Sequence, residues 1–463
     1  MKSGFILLLL LISSISFGQK LRFKVNNQKD TIVHLIKYFG TKKFYADTAE
    51  IKNGIVEFDG RKQVSGILGL LMPGQKYFEF IYNNEDVDLE TEGPDYAGNL
   101  IVKKSTENNL FIPYIRFIGS QKAKMGRLGQ ERGKLADTDP RYAELTEEIK
   151  TVNSGVLKYQ EDLINQNKGT LVAKIVKMSM EVEIPEAPLD ENGVVIDSNF
   201  RFLFYREHYW DNVDLNDDAL VNNPIFHNKL EYFFGQKMMI QHWDTVTKYA
   251  FRFCDQLNPK SKMFEYSVGW ITSSFGKSKI MGMDKVYLEM LNRYYCTDNL
   301  EGNSPAFWVG EDKFEELCDN LKNKLRLTMG SVPFNLKLRD TTDVNWVDFY
   351  SLDSEYTILY FWDPECGHCK KTTPKLETLY KKKFKDRNIE IFSVGKAIGE
   401  DFDKWKKFIR ENDLTFINAA VTDRLYNEAK DAPEKFVELY PGEPNKVTTL
   451  ESLNYQNTYD IFS

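Results

Sequence analysis

The sequence predicts a multidomain protein with a small N-terminal β-sandwich, a central all-α domain and a C-terminal α/β domain. The chain of 463 residues is longer than one ordinary hydrophobic core requires. The spacing of apolar residues changes from about two to about 3.6 near Asn108, and strand-like and helix-like segments alternate from Ser331 onward. We therefore expect a signal peptide at residues 1–18, followed by domains at 19–105, 106–330 and 331–463.

The composition is that of a globular protein and excludes few functions. Hydrophobic residues make up 42% and charged residues 28% of the chain, and the formal net charge is −7. This charge gives no electrostatic reason to expect a nucleic-acid partner. The lysine run at residues 381–383 has acidic neighbours and is typical of a solvated helix face.

The N-terminus has the pattern of a cleaved signal peptide. Lys2 precedes the apolar run Phe5–Ile12, and Ser16 and Gly18 are small residues at the positions that a signal peptidase reads. The run is well short of the roughly 20 residues that span a bilayer. We expect an exported protein of the periplasm or cell envelope that begins at Gln19 and has no membrane span after cleavage.

Short alternating apolar runs between residues 21 and 92 predict a small antiparallel β-sandwich of about seven strands. Asn53-Gly54 lies between two such runs and is a strong hairpin signal. Residues 72–75 predict a second turn before the aromatic strand Tyr77–Tyr82. Nothing in this domain has a catalytic pattern.

The central region has the apolar spacing of helices. Asp139 is a predicted N-cap and Pro140 the first helical residue. Two helices joined by residues 136–138 predict an antiparallel pair. The apolar seam of its second helix consists of Tyr142, Leu145, Ile149, Val152, Val156, Tyr159 and Leu163. The histidines that follow, His208, His227 and His242, show no metal-ligand spacing, and structural roles are favoured.

The chain contains five cysteines, too few for a disulfide scaffold. Cys254 is interpreted as a small buried residue. Cys296 and Cys318 flank a short connector, and their spacing leaves open whether they pair. Only Cys366 and Cys369 show a recognised spacing.

Cys366 and Cys369 stand where a buried strand gives way to a helix. The β-branched and aromatic run Tyr356–Trp362 predicts the strand, and the helix begins near Cys366. Unpaired backbone N–H groups and the helix dipole favour a thiolate at this position. Cys369 lies one turn further on the same face, within reach to resolve a mixed disulfide. His368 adds a protonatable group that should also favour the thiolate.

Other interpretations of this motif fit less well. A structural zinc site needs four ligands, and only one cysteine pair is present. Haem attachment needs a histidine where Lys370 stands, and a peroxiredoxin would have threonine where Asp363 stands. A purely structural disulfide across so tight a loop is strained and easily reduced. We expect no cofactor and no metal.

Residues 361–374, Phe-Trp-Asp-Pro-Glu-Cys-Gly-His-Cys-Lys-Lys-Thr-Thr-Pro, resemble the active-site strand and helix of thioredoxin-like proteins, and particularly the exported TlpA-type branch. The resemblance implies a thiol–disulfide oxidoreductase, with a β domain and a helical domain of unknown function before the thioredoxin-like domain. It implies disulfide-containing protein or small-molecule substrates and a membrane or periplasmic redox partner. The supporting active-site residues that it implies are Trp362, Pro364, Gly367, His368 and Pro374.

The sequence departs from the thioredoxin-like pattern near its C-terminus. The family places a cis-proline opposite the two cysteines, before a last hairpin and helix. The later prolines, Pro433, Pro441 and Pro444, are not followed by an apolar hairpin. We therefore expect a thioredoxin-like fold that is incomplete at the C-terminus. An alternative function is an envelope binding or scaffold protein with a vestigial or truncated thioredoxin domain.

Overall fold

The computed structural model describes residues 19–296, 304–319, 321–431 and 455–459. The predicted signal peptide and the three late prolines lie outside these residues. The chain divides into two compact units, one of Met1–Ile280 with Asn299–Trp308 and the other of Met281–Asp298 with Val309–Ser463. The exact domain boundaries expected from the sequence stay predictions.

The first unit begins with a β-sandwich. Its strands are β1 (Lys20–Asn26), β2 (Thr31–Phe39), β3 (Lys42–Ile51), β4 (Ile55–Asp59), β5 (Gly66–Met72), β6 (Lys76–Tyr82), β7 (Val87–Glu92) and β8 (Ile101–Lys104). One sheet has the order β4-β1-β7-β8 and the other the order β3-β2-β5-β6. Phe23 of β1 joins the two, with its ring centroid 5.0 Å from that of Phe80 and 6.0 Å from that of Phe78. The predicted sandwich is confirmed.

Seven strands, β1 to β7, lie between residues 20 and 92, as predicted, and β8 follows them. Two details of the predicted sandwich are wrong. The first is that the sandwich is not antiparallel throughout, because β1 pairs with β7 in parallel. Asn53 and Gly54 do form a tight turn, with φ values of 52° and 75°. However, only the bridge between Lys52 and Ile55 follows it, because β3 pairs with β2 whereas β4 pairs with β1. The turn therefore connects the two sheets and closes no hairpin.

The helices of the first unit are α1 (Thr106–Arg132), α2 (Pro140–Gln166), α3 (Leu171–Ser179), α4 (Phe200–His208), α5 (Pro224–Phe234), α6 (Trp243–Cys254) and α7 (Lys262–Gly276). The Asp139 side chain accepts from the Arg141 backbone N–H, which confirms the predicted N-cap. Phe117 stacks on Tyr159, whereas Leu128 packs with Leu145, so α1 and α2 run antiparallel.

The second unit contains α8 (Asp284–Tyr294), α9 (Glu311–Cys318) and α10 (Leu321–Arg326), followed by an α/β domain. The domain's strands are β9 (Lys337–Arg339), β10 (Trp346–Asp348), β11 (Tyr356–Trp362), β12 (Ile389–Ala397) and β13 (Ile417–Thr422), in the order β10-β9-β13-β12-β11. Its helices are α11 (Gly367–Leu379), α12 (Asp401–Glu411), α13 (Asp423–Asp431) and α14 (Tyr455–Thr458). A π-helical turn, Tyr380–Phe384, continues α11. In the described part of the chain, no helix is long and apolar enough to cross a bilayer.

The side chains of β11 alternate between two hydrophobic cores, one on each face of the five-stranded sheet. Ile358, Tyr360 and Trp362 belong to the core that also contains Trp405 of α12. Leu359 and Phe361 belong to the opposite core. This period of two is the one expected of a strand that has both faces covered. It directs Tyr360 and Trp362 to the side on which Cys369 packs.

Candidate active site

The carboxyl end of β11 leads into a tight turn that places Cys366 at the start of α11. The Asp363 side chain accepts from the Glu365 backbone N–H at 2.7 Å, and the Asp363 carbonyl accepts from the Cys366 N–H at 3.2 Å. Cys366 is the N-cap of α11, and its carbonyl accepts from the Lys370 N–H at 2.9 Å. The Cys366 side chain therefore lies at the amino end of the helix, where the backbone N–H groups have no partners within the helix.

The two thiols have pKa values shifted in opposite directions. The pKa of Cys366 is lowered, chiefly by the backbone N–H of Cys369, then by the Cys369 thiol and the backbone N–H of His368. Burial raises the pKa of Cys369, and the charges of Cys366 and Asp363 raise it further. Both thiols are free in this structure. The pair therefore favours deprotonation of Cys366 before Cys369 as the pH rises.

Cys369 packs against an aromatic bed. The core beneath it includes Trp362 and Trp405, both buried, with Tyr360 at its side. The Tyr360 hydroxyl shares a hydrogen bond with the hydroxyl of Thr373, at 2.8 Å between the oxygens. Thr373 is fully buried in α11. Cys369 thus has one polar pair next to it in a largely apolar setting.

Trp362, the last residue of β11, is held by a polar chain across the sheet. Its indole Nε1 donates to Ser393 Oγ at 3.4 Å, and Ser393 donates to Asn418 Oδ1 at 3.1 Å. The Asn418 amide donates to the carbonyl of Phe416 at 2.7 Å. Ser393 is fully buried, so this chain satisfies its hydroxyl and fixes the tryptophan ring beside the motif.

Charged side chains around the turn form a balanced network. Lys396 Nζ lies 3.6 Å from Asp363 Oδ2 and 3.1 Å from Asp401 Oδ2. Lys370 Nζ lies 3.4 Å from Glu365 Oε1. These pairs are partly exposed, and each stabilises the fold by about 1 kcal/mol or less. Because acids and bases alternate, the rim of the site favours neither anionic nor cationic substrates strongly.

A cavity of about 240 Å³ opens beside the turn. Its lining residues are Phe361, Trp362, Asp363, Lys396, Tyr455 and Gln456. The ring of Tyr455 stacks on that of Phe361 with 5.5 Å between centroids and 9° between planes. The cavity therefore combines an aromatic wall with one acid and one amine.

The remaining site residues predicted from the sequence fall around Cys366 as follows. Pro364 is buried behind the turn, whereas Gly367 and His368 are exposed on the first turn of α11. Pro374 lies inside α11, which continues to Leu379. His368 contributes its backbone N–H to the lowered pKa of Cys366. That its imidazole also favours the thiolate stays a prediction.

Sequence reasoning missed Tyr360, Thr373, Ser393 and Lys396. Two of these could have been found from periodicity alone. Tyr360 stands two residues before Trp362 on the same face of β11, and Thr373 stands one helical turn after Cys369. Ser393 and Lys396 come from a strand whose pairing with β11 only the folded chain reveals.

The other cysteines lie outside this site. Cys296 and Cys318 form a disulfide with 5.6 Å between their Cα atoms, which decides the pairing that their spacing left open. It connects the end of α9 to the residues just after α8. Cys254 is fully buried at the end of α6, as expected.

Strand β11 leads into the helix that begins at the Cys-x-x-Cys motif. It lies parallel to β12 and β13, and β9 and β10 complete the sheet as antiparallel strands. This arrangement defines a thioredoxin-like domain. The family models agree. Residues 353–432 match a family described as thioredoxin-like. Residues 156–304 match a domain of unknown function, DUF5106, within the predicted helical region. The C-terminal region of this chain is therefore a thioredoxin-like domain that follows a helical domain of unknown function.

Three solved structures from Bacteroides species are similar to parts of this chain. The thioredoxin domain of a thiol-disulfide oxidoreductase from Bacteroides vulgatus is 23% identical; the match covers 29% of this chain and 98% of that one, with a TM-score of 0.20. A thioredoxin-like protein from Bacteroides caccae is 16% identical over 58% of this chain and 90% of that one, with a TM-score of 0.24. A thiol:disulfide interchange protein from a Bacteroides species is 24% identical; the match covers 30% of this chain and 91% of that one, with a TM-score of 0.20. No curated protein matches the chain.

Proposed function

We propose that this protein is a thiol–disulfide oxidoreductase in which Cys366 attacks and Cys369 resolves. The observation that carries the proposal is the opposite shift of the two thiol pKa values, down for Cys366 and up for Cys369. A thiolate is the attacking species in disulfide exchange, so the residue with the lowered pKa reacts first. The neighbour that stays protonated is then available for the second step.

The exchange consists of two displacements. The Cys366 thiolate attacks one sulfur of a substrate disulfide; a Cys366–substrate disulfide forms, and the other substrate sulfur leaves as a thiolate. Cys369 then loses its proton and attacks Cys366. The Cys366–Cys369 disulfide forms, and the second substrate sulfur leaves as a thiolate. Two electrons pass from the cysteine pair to the substrate, and the reverse sequence oxidises a substrate dithiol.

Reduction of insulin disulfides by the full chain, with dithiothreitol as the electron source, tests this proposal. We expect activity above the dithiothreitol background for the wild type and none above it for Cys366→Ser. Cys254→Ala is the matched control, since Cys254 is buried in the other unit and should leave the rate unchanged. Equal rates for wild type and Cys366→Ser would remove Cys366 from the mechanism.

The binding or scaffold alternative makes a different prediction for the same pair. A vestigial pair need not interconvert between its dithiol and disulfide forms at any ratio of reduced to oxidised glutathione. An oxidoreductase pair equilibrates with the glutathione buffer. Titration of the Cys366–Cys369 couple against reduced and oxidised glutathione separates the two. A single reversible transition supports the enzyme, and a pair that never equilibrates supports the scaffold.

We also propose that the protein is exported to the periplasm or cell envelope and exchanges disulfides with protein or small-molecule substrates and a redox partner there. The N-terminal sequence pattern supports export, because it has a positive start, a short apolar run and small residues before Gln19. N-terminal sequencing of the protein from an envelope fraction tests this. Gln19 as the first residue is expected, and a retained Met1 contradicts cleavage.

A further inference from the structure

Tyr360 and Thr373 form a hydrogen-bonded pair of hydroxyls beside the resolving cysteine. Their oxygens are 2.8 Å apart. Tyr360 projects from β11 and Thr373 from α11, so the bond joins β11 to the helix whose first turn carries the Cys-x-x-Cys motif. Thr373 is fully buried, and its hydroxyl needs a partner there. Neither displacement of the thiol–disulfide exchange uses this pair.

The pair lies close to Cys369. Cys369 and Thr373 are four residues apart in one helix, so their side chains are neighbours on the same face. Tyr360 and Cys369 pack against the same hydrophobic core. The pKa of Tyr360 is raised by burial and then, against the opposing effect of the Thr373 hydroxyl, by the negative charges of the Cys369 and Cys366 thiolates. The phenol and the thiols therefore interact electrostatically.

A group that stabilises the Cys369 thiolate would favour the resolving step. The buried Cys369 thiol has to become a thiolate before it attacks, and its apolar surroundings oppose that charge. A hydroxyl dipole in a low-dielectric setting stabilises a nearby anion more than it would in water. The Thr373 hydroxyl lies one helical turn from Cys369 and holds the Tyr360 hydroxyl by a hydrogen bond.

We propose that the Tyr360 hydroxyl stabilises the Cys369 thiolate during resolution of the mixed disulfide, and that Thr373 is a positioning residue that orients this hydroxyl. The inference rests on the proposed function. Cys369 releases its proton to solvent, the Cys369 thiolate attacks Cys366, the Cys366–Cys369 bond forms, and the substrate sulfur leaves as a thiolate. Tyr360 stays protonated throughout and only directs its O–H dipole.

The other titratable groups around this core face other partners. Glu377 of α11 accepts from Thr415 and pairs with Lys381, and Tyr380 donates to Glu390 of β12. Lys396 of β12 pairs with Asp363 and with Asp401 of α12. Asp363 is the exception, because its carboxylate raises the pKa of both Cys369 and Tyr455. The Trp405 Nε1 of α12 has no hydrogen-bond partner within the described residues, but it lies over Gly395.

The test measures the pH dependence of Cys369 alkylation by iodoacetamide in the full-length Cys366→Ser protein, where Cys369 is the one reactive thiol of the motif. Adding Tyr360→Phe or Thr373→Val is expected to raise the midpoint of the alkylation profile and to slow alkylation at pH 7 by about two- to tenfold. Thr373→Ser retains the hydroxyl and should restore the original midpoint. Tyr380→Phe is the matched control, since it removes a phenol hydroxyl from the same core that is bonded to Glu390.

Each outcome decides the inference. A shift with Tyr360→Phe and Thr373→Val, but with neither Thr373→Ser nor Tyr380→Phe, supports it. An unchanged midpoint in Tyr360→Phe, or an equal shift in Tyr380→Phe, overturns it. Alkylation requires no substrate turnover, so a protein that fails to reduce insulin disulfides yet shows the Tyr360 shift would contradict the proposed function and not this inference. Circular dichroism and thermal unfolding of each variant identify any that do not fold; if one of Tyr360→Phe and Thr373→Val does not fold, the other carries the comparison, because each removes one hydroxyl of the pair.

Discussion

The indole of Trp405 lies against the backbone of Gly395, so closely that a Cβ atom at position 395 would fall 2.0 Å from the indole Nε1. Trp405 is fully buried and anchors α12 to the sheet next to Trp362. A side chain at position 395 would displace this ring, because close-packed cores accommodate extra volume only by moving their neighbours.

Gly395→Ala is therefore expected to lower the free energy of unfolding of the thioredoxin-like domain by about 1–3 kcal/mol. The measurement is denaturant unfolding of the full chain followed by tryptophan fluorescence. Gly119→Ala in α1 is the control, since a Cβ atom at position 119 would have no atom within 4 Å of it. Alanine in a helix should stabilise the protein there by about 0.5–1 kcal/mol. An unchanged stability in Gly395→Ala would contradict the packing described for Trp405.

The two thiols should titrate in a fixed order. The pKa of Cys366 is lowered in the folded protein, so its alkylation rate in Cys369→Ser should reach half its maximum below pH of about 8.5, the ordinary value for cysteine. The pKa of Cys369 is raised, so its profile in Cys366→Ser should reach half-maximum above that pH. Between these two midpoints Cys366 reacts as a thiolate while Cys369 stays protonated. The reverse order of midpoints would contradict the assigned roles.

The lowered pKa of Cys366 also predicts how pH changes stability. A thiol whose folded pKa lies below its unfolded value stabilises the reduced protein at pH above the unfolded value. That contribution is lost as the pH falls through the folded pKa. We expect reduced wild type to lose more stability than reduced Cys366→Ser over this interval, as measured by denaturant unfolding at a series of pH values. Parallel stability curves for the two proteins would contradict the shift.

Glu377 connects the active-site helix to the segment before β13. Its buried carboxylate accepts from the Thr415 N–H at 3.0 Å and from the Thr415 hydroxyl at 2.6 Å, and it pairs with Lys381 at 3.1 Å. Glu377→Ala removes the acceptor of both Thr415 donors and should cost about 2 kcal/mol of stability. Glu377→Gln keeps one acceptor oxygen, so a smaller loss is expected by thermal unfolding. Equal losses in the two variants would contradict a stabilising role for these hydrogen bonds.

The Cys296–Cys318 disulfide closes a loop with a sequence separation of 22 residues. Its removal in Cys296→Ser/Cys318→Ser should lower the free energy of unfolding by about 3 kcal/mol, because the unfolded chain regains loop entropy. Insulin reduction by the folded double variant should keep its rate, since neither cysteine belongs to the motif. A large loss of activity without a loss of stability would indicate that the Cys296–Cys318 disulfide takes part in the exchange.

Much of the fold could be predicted from local sequence. Asp139 with Pro140 marks the start of a helix because side-chain capping and a fixed φ act within a few residues. The position of Cys366 after a β-branched strand and before a helix is local for the same reason. These features need no knowledge of how distant segments meet.

Features that depend on long-range pairing could not be predicted in this way. Asn53 and Gly54 adopt the conformation of a hairpin turn. However, β3 before the turn pairs with β2, and β4 after it pairs with β1, so the two strands belong to different sheets. The parallel pairing of β1 with β7 leaves no local signal either. In the site, Ser393 reaches Trp362 only because β12 lies beside β11.

Trapping of the mixed disulfide tests the central claim most directly. Reduced Cys369→Ser is mixed with oxidised glutathione, and the adduct is located by mass spectrometry of acid-quenched peptides. We predict a stable glutathione adduct on Cys366, while the wild type releases glutathione and forms the Cys366–Cys369 disulfide. No adduct on Cys366, or an adduct that forms as fast on Cys369 in Cys366→Ser, would contradict the assignment of Cys366 as the attacking thiol.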